Sequence, residues 1–190
     1  MINMPYIFFR TTADVILKNG NKLSIYTPQD FTCLTWKPSY REIYPRGLST
    51  LYGKRSLVIW WLLQYLFSLD RRYRIFIIYH NNEIIHYTFL FSRHLRCPFM
   101  ERHDLKLGHT WTNELYRGRG LATMAVINLV KPFKNTNVNF WWYCHEGNNA
   151  SKRVAKKLGF EFVGRGTINL RLERRQLRYF TITDYYRTKG

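Results

Sequence analysis

The clearest chemical capacity in this sequence lies in the run Arg117-Gly118-Arg119-Gly120-Leu121-Ala122. Small residues in succession let a backbone approach a ligand closely and aim several N–H groups at one point. The next residues, Leu121–Val130 (LATMAVINLV), read as a helix stopped by Pro132, so Leu121, Ala122 and Thr123 bring its partly positive N-terminus to the same place. Arg117 and Arg119 add side-chain charge. The combination suits a phosphate or pyrophosphate; a plain structural turn is the alternative. It is not a Walker loop, because GxxxxGK[ST] is absent, nor GxGxxG, because Thr123 holds the third glycine position.

Several elements must position this run. Asp104–Thr112 (DLKLGHTWT) reads as a strand leading into it, and Val138–Cys144 (VNFWWYC) as a strand after the helix. Upstream, Arg74–Tyr79 and Glu83–Ser92 are β-branched and aromatic and flank His80-Asn81-Asn82, which predicts a hairpin. Downstream, Asn149–Leu158 is a short helix with an asparagine at its start and Gly159 just past its end. Phe162–Leu172 and Gln176–Tyr185 predict a closing hairpin flanked by Arg171, Arg174, Arg175 and Arg178. Near the start, Tyr6–Arg10 and Lys22–Tyr26 are strand-like and split by a turn signal at Asn19–Asn21. Residues 30–54 look irregular, broken by Pro38 and Pro45. Leu57–Leu69 predicts a helix apolar nearly all round: a core helix, or a membrane-surface helix, which its basic flanks and Trp60-Trp61 would suit. The order implies a mixed α/β sheet with helices packed on it.

The stretch LGHTWTNELYRGRGLATMAV, followed some 25 residues on by GNNASKRVAKKLGFEFVG, resembles the GNAT superfamily of acetyl-CoA-dependent acetyltransferases. Arg117-x-x-Gly120-x-Ala122 is similar to the family's Q/R-x-x-G-x-G/A pyrophosphate motif. Asn148-x-Ala150-Ser151, running on to Lys157-Leu158-Gly159-Phe160, is similar to its second signature, the helix beside the pantetheine. The resemblance covers about residues 75–164 well and the last hairpin plausibly, whereas residues 1–70 match nothing nameable. It implies a mostly antiparallel central sheet with a splayed central strand pair, here Leu105–Thr112 and Val138–Cys144, flanked by helices. It also implies acetyl-CoA as cosubstrate, held by Trp111, Thr112, Arg117, Gly118, Arg119, Gly120, Leu121, Ala122, Thr123, Asn148, Ser151 and Lys152, with no metal. One acetyltransferase-like domain over residues 1–190 is expected: an N-terminal part (1–70), an acyl-CoA-binding core (75–164) and a C-terminal hairpin (165–190).

The sequence departs from that family where acid–base chemistry is concerned. Many members carry a tyrosine three residues before the leucine of K-L-G-F, as the acid for the departing thiolate; this chain has Ala155. The glutamate often found early in the motif strand aligns at or near Leu107. Substitutes are His109, the first choice as base, then Glu146, Tyr143 and His145. Glu114 belongs to the turn. Of Trp141-Trp142-Tyr143, at least one ring packs in the core. Lys152, Arg153, Lys156 and Lys157 form a solvated face, or contact the adenosine 3′-phosphate of CoA.

Composition bounds the rest. A chain of 190 residues with 46% hydrophobic and 22% charged residues is an ordinary globular balance, which excludes disorder as its main state. Three cysteines without a CxxC argue against a disulfide scaffold or a cysteine-built zinc site, and so for the cytoplasm. No run reaches the roughly 20 residues of a spanning helix. The formal charge of +18 draws anions of every kind: nucleotides, nucleic acid, or an anionic membrane surface at its inner face. An N-acetyltransferase acting on a primary amine is expected, with an anionic, glycan-like amino sugar, nucleotide-activated or lipid-linked, as the acceptor. The alternatives are a peptide or protein N-acetyltransferase, or a non-catalytic acyl-CoA- or nucleic-acid-binding protein.

Overall fold

The computed structural model describes residues 5–23, 30–62, 72–93, 96–170 and 178–185. Eight strands form one sheet in the order β2-β3-β4-β5-β6-β1-β7-β8. They are β1 (Tyr6–Thr12), β2 (Thr32–Trp36), β3 (Arg74–His80), β4 (Glu83–Ser92), β5 (Leu105–Thr112), β6 (Asn139–His145), β7 (Glu161–Leu170) and β8 (Arg178–Tyr185). Every neighbouring pair is antiparallel except β5–β6, which is parallel.

That one parallel pair is also the shortest. It joins only Leu105 to Phe140, Lys106 to Trp141 and Leu107 to Trp142, after which the strands part. Asp104 pins the closed end. Its carboxylate accepts from the Trp141 indole at 2.7 Å and from the Asn139 amide at 3.1 Å, and from the Glu101 backbone N–H at 2.9 Å. The acid is almost fully buried, so these donors offset the cost of removing it from water. The fold is thus the mixed, mostly antiparallel sheet with a splayed central pair that the sequence predicts.

Alternation along the strands sets the two faces. Ile7, Phe9, Leu105, Leu107, Phe140 and Trp142 point to one face and pack with the helices α1 (Ala13–Gly20), α4 (Leu121–Val130) and α5 (Asn149–Lys157). The opposite face carries two separate clusters. One joins β3 and β4 to α2 (Leu48–Tyr52) and α3 (Lys54–Trp61) through Leu57, Trp60, Trp61, Tyr73, Phe89 and Phe91. The other gathers Phe8, Cys97, Met100, Trp141, Val163 and Phe180. The parting of β5 from β6 leaves a gap between these two clusters.

The predicted strands and helices from Arg74 to Leu158 appear within a residue or two, and the helix over Leu121–Val130 coincides. Three differences lie before them. Ala13–Gly20, where the sequence offers only the turn signal at Asn19–Asn21, is a helix; its buried residues Ala13, Ile16 and Gly20 make too short a stripe to stand out as periodicity. Thr32–Trp36, read as irregular, is an edge strand with only Trp36 buried, so it shows no alternation. Leu48–Tyr52 is a single helical turn entered through Gly47 at φ 77°. The predicted strand over Lys22–Tyr26 lies mostly outside the described residues, as do the second half of the Leu57–Leu69 helix and Arg171, Arg174 and Arg175. Of that helix, Lys54–Trp61 is described, and Leu57, Trp60 and Trp61 are buried in the core. Among the described residues no helix is long and apolar enough to cross a membrane.

Candidate active site

The glycine run forms an open loop between β5 and α4. Asn113 starts it, its Oδ1 accepting from the Leu115 N–H at 3.1 Å and so capping a single 3-10 turn over Glu114–Tyr116. Gly118 and Gly120 then adopt φ of 78° and 80°, the left-handed region that other residues enter at a cost of about 1–2 kcal/mol. A Cβ added at either would meet nothing within 4 Å, so the loop faces open space. The first helical bond of α4 runs from the Met124 N–H to the Gly120 carbonyl at 3.0 Å. Leu121, Ala122 and Thr123 therefore present N–H groups with no acceptor inside the helix. The arrangement is of the kind that suits an anion, with the donors supplied by backbone. The two arginines help less directly than their sequence positions suggest. Arg117 pairs with Glu114 at 3.1 Å and donates to the Thr112 carbonyl at 3.4 Å, while Arg119 lies over the Tyr116 ring and donates to the Leu115 carbonyl.

Where β5 leaves β6, it also bulges against β4. Tyr87 faces Trp111 and Phe89 faces Gly108, so His109 and Thr110 together oppose Thr88. His109 has a φ of 48°, unusual for a side-chain-bearing residue. The turn throws its imidazole toward α2 and α3. There Nδ1 lies 2.9 Å from the Tyr52 hydroxyl, and the ring packs beside Trp60 and Phe91. Trp111 stacks on Tyr87, and the Thr112 hydroxyl bonds to Nδ1 of the buried His86 at 2.8 Å. Their side chains are thus taken up by β4, which leaves the backbone of β5 to face the splay.

The gap between the two clusters is a cavity of about 260 Å³. Rings of Tyr6, Trp60, Tyr143 and Phe180 wall it, and among the described residues Arg96, Lys106 and His109 also line it and no carboxylate does. Desolvation lowers the His109 pKa to about 3, and the charges of Lys106 and Arg96 push the same way. One side of that ring meets the cavity and is exposed, and the imidazole is neutral at pH 7. Lys106 is 3% exposed, and burial lowers its pKa to about 8. Its ammonium sits over the rings of Tyr143 at 4.3 Å and Phe91 at 5.0 Å. Burial pushes the Tyr143 hydroxyl well above its ordinary range, with the nearby Cys97 thiol adding to the effect.

Of the four residues named for acid–base work, His109 and Tyr143 line this cavity, while His145, at the end of β6, packs on the Tyr6 ring. Glu146 does not line it; it lies beyond the end of β6 in an ion pair with Arg165 at 2.9 Å. The second signature does structural work here. Asn148 caps α5 by accepting from the Ser151 N–H at 3.0 Å, and the Ser151 hydroxyl accepts from the Trp142 indole at 2.8 Å. Ala155 is fully buried in the core under α5. Lys152 on the same helix is partly exposed. Sequence reasoning missed Tyr52, Trp60, Arg96 and Lys106. Only Lys106 left a signal, as a charge between two leucines that the strand pattern buries.

Residues 108–168 match the family model described as GNAT acetyltransferase. The fold agrees with three solved structures. A tandem GNAT protein from the clavulanic acid biosynthesis pathway is 15% identical, with a TM-score of 0.59 over 87% of this chain and 52% of that one. An aminoglycoside N-acetyltransferase, AAC(6')-Iy, in complex with CoA is 14% identical, with a TM-score of 0.51 over 80% of this chain and 99% of that one. A functionally unknown conserved protein from Staphylococcus epidermidis is 11% identical, with a TM-score of 0.51 over 85% and 59%. This chain thus spans little more than half the length of the first and third. No curated protein matches it. The match to the GNAT model thus covers residues 108–168, and the sheet with its splayed strand pair is similar in fold to the tandem GNAT protein.

Proposed function

We propose that the protein is an acetyl-CoA-dependent N-acetyltransferase acting on a primary amine. The observation that carries this reading is the position of the splay, which opens beside the glycine cradle on one face of the sheet and onto the 260 Å³ cavity on the other. A pyrophosphate held by the N–H groups of Gly118–Thr123 would let the pantetheine arm run between β5 and β6. The thioester would then meet an amine in the cavity. Asn148, Ser151 and Lys152 support the reading as the helix end flanking that arm. The described residues are read as one acetyltransferase-like domain.

In the chemistry, the amine nitrogen forms a bond to the thioester carbonyl carbon, the carbon–sulfur bond breaks, and the thiolate leaves. Backbone N–H groups of β5 beyond Leu107, released from pairing with β6, are suited to the carbonyl oxygen; such fixed donors are worth about 10²–10³ in rate. His109 is the nearest candidate to take a proton from the amine, and the Tyr143 hydroxyl can donate a hydrogen bond to the thiolate. Glu146, tied to Arg165, has no part in this scheme. A second reading rests on Ala155. With the usual tyrosine position filled by a buried methyl group, a protein that binds acyl-CoA without turning it over keeps every other feature. An amino sugar remains a suitable acceptor, because the aromatic walls would stack on a sugar ring.

Calorimetry with acetyl-CoA at near-physiological salt tests the site, with Gly120→Glu as control. The variant places bulk and negative charge in the cradle, and its melting temperature reports whether it folds. One-to-one binding lost in the folded variant is the expected result. Equal weak binding by both proteins would mean general attraction to a +18 surface and would remove the assignment. Free CoA released in the presence of an amine then separates an enzyme from a binder.

A further inference from the structure

We infer that the cavity is an acceptor subsite for a small amine that also carries a compact anion, a carboxylate or phosphate, and that Lys106 recognises the anion. The inference rests on the transferase reading above and deepens it.

Lys106 is the unusual group. Its side chain is buried to 3% exposure in the one strand that both splays and bulges. Among the described residues no hydrogen bond or ion pair is made by its Nζ; the rings of Tyr143 and Phe91 lie under it, and the Cys97 thiol and the Arg96 guanidinium are near enough to act on its charge. Ring contacts compensate a buried ammonium only in part, and a carboxylate partner is the common solution. None lines the cavity among the described residues. Arg96 and His109 also line it, and depressed basicity leaves His109 an uncharged hydrogen-bonding group. The Lys106 ammonium, in a recess with low-dielectric aromatic walls, favours an entering anion and disfavours a second cation.

Position and size narrow the ligand. Lys106 precedes Gly108 by two residues and points to the same face, its Cε only 3.1 Å from where a Gly108 Cβ would stand. The ammonium therefore lies beside the bulge where the thioester would emerge. An acceptor whose anion met Lys106 would hold its amine within a few atoms of that point. About 260 Å³ admits an amino acid or a monosaccharide, and is small for a polymer or folded protein surface. An acceptor with several amines and no anion, such as an aminoglycoside, suits this lining poorly.

The test compares acceptors that differ only in the anion: phenylalanine against phenylalaninamide, and glucosamine 6-phosphate against glucosamine. Transfer from acetyl-CoA is followed as released CoA in the full chain and in Lys106→Met, which keeps the stem length and removes the charge. A tenfold or greater preference in kcat/KM for the anionic member of one pair is expected; which pair shows it tells carboxylate from phosphate. Lys106→Met should reduce that preference to within twofold, mainly through KM, with acetyl-CoA affinity unchanged. No preference in the wild type, or one that survives in Lys106→Met, overturns the proposal. Calorimetry with acetate and inorganic phosphate at fixed ionic strength separates it from the reading beneath it. Heat that depends on Lys106 without transfer to any amine would keep the anion subsite and remove the transferase. Transfer without such heat or preference would do the reverse.

Discussion

The Tyr52 hydroxyl and Nδ1 of His109 stand 2.9 Å apart, joining the N-terminal helical turn to the bulge of β5. Two arrangements satisfy this contact. Tyr52 can donate to Nδ1, which leaves the imidazole proton on Nε2. Alternatively, Nδ1–H donates to Tyr52, and Nε2 keeps a lone pair. Only the second offers a basic nitrogen to a bound amine. Burial raises the Tyr52 pKa to about 12, so the hydroxyl keeps its proton in either case.

Removing that hydroxyl separates the roles. Tyr52→Phe is expected to slow turnover about tenfold and leave acetyl-CoA affinity unchanged, a modest part of what general acid–base catalysis supplies. Nitrogen NMR of labelled His109 should show the ring proton on Nδ1 in the wild type. A proton found on Nε2 would make His109 a hydrogen-bond donor to the cavity and not a base.

Lys106 predicts a pH dependence with a definite sign. Its pKa falls from 10.5 in the unfolded chain to about 8 in the folded one. Between these values the unfolded chain holds a proton that the folded chain has lost, so stability rises with pH through the window. Below about pH 8 the deficit is complete, at most about 3 kcal/mol. Lys106→Met should therefore be more stable than the wild type at pH 7, and denaturant titrations should show the gap closing toward pH 10. A gap constant with pH would show that the ammonium is well solvated.

His86 acts on the acid side. It is fully buried between the hydroxyls of Thr112 and Thr88, at 2.8 and 2.9 Å, and desolvation lowers its pKa from 6.5 to about 3. As pH falls from 6.5 toward 3 the unfolded chain takes up a proton that the folded chain refuses, and stability declines. Between pH 7 and pH 5 the wild type should lose about 2 kcal/mol more than His86→Gln. Parallel curves for the two proteins in urea would count against this.

The C-terminal strands depend on two glycines. A Cβ on Gly166 would come within 2.0 Å of the Thr181 carbonyl oxygen and 2.8 Å of the Phe8 ring. Gly164 is placed the same way against Asp184. Gly166→Ala should cost about 2–3 kcal/mol by overpacking, read as a fall in melting temperature. An unchanged melt would indicate that β8 does not pair with β7 in solution.

What the sequence disclosed followed from how local each signal was. The stretch from Arg74 to Leu158 carries its own punctuation: a turn at Asn81-Asn82, the cap at Asn148, Gly159 past the helix end. The elements there are accordingly found close to where the pattern puts them. Ala13–Gly20 and Thr32–Trp36 owe their conformations to what they touch, α4 and β3, and neither shows a period long enough to read. The candidate site divides the same way. The cradle is one contiguous loop and is visible as such. Tyr52, Trp60, Arg96 and Lys106 come from four places in the chain, and meet only because β5 and β6 part after three residue pairs. Glu146 follows β6 closely in sequence, yet the end of that strand turns it to Arg165 and away from the cavity.

The carboxylate of Asp104 has a mechanical meaning. It fastens β5 to β6 at one end, through Asn139 and Trp141, while the other end is untethered. Beyond that clasp each strand keeps its partner on the outer side, β4 for β5 and β1 for β6, so the opening is a slot between two paired halves of one sheet. A ligand inserted there would meet backbone groups that neither half of the sheet has used, with the clasp at Asp104 left intact.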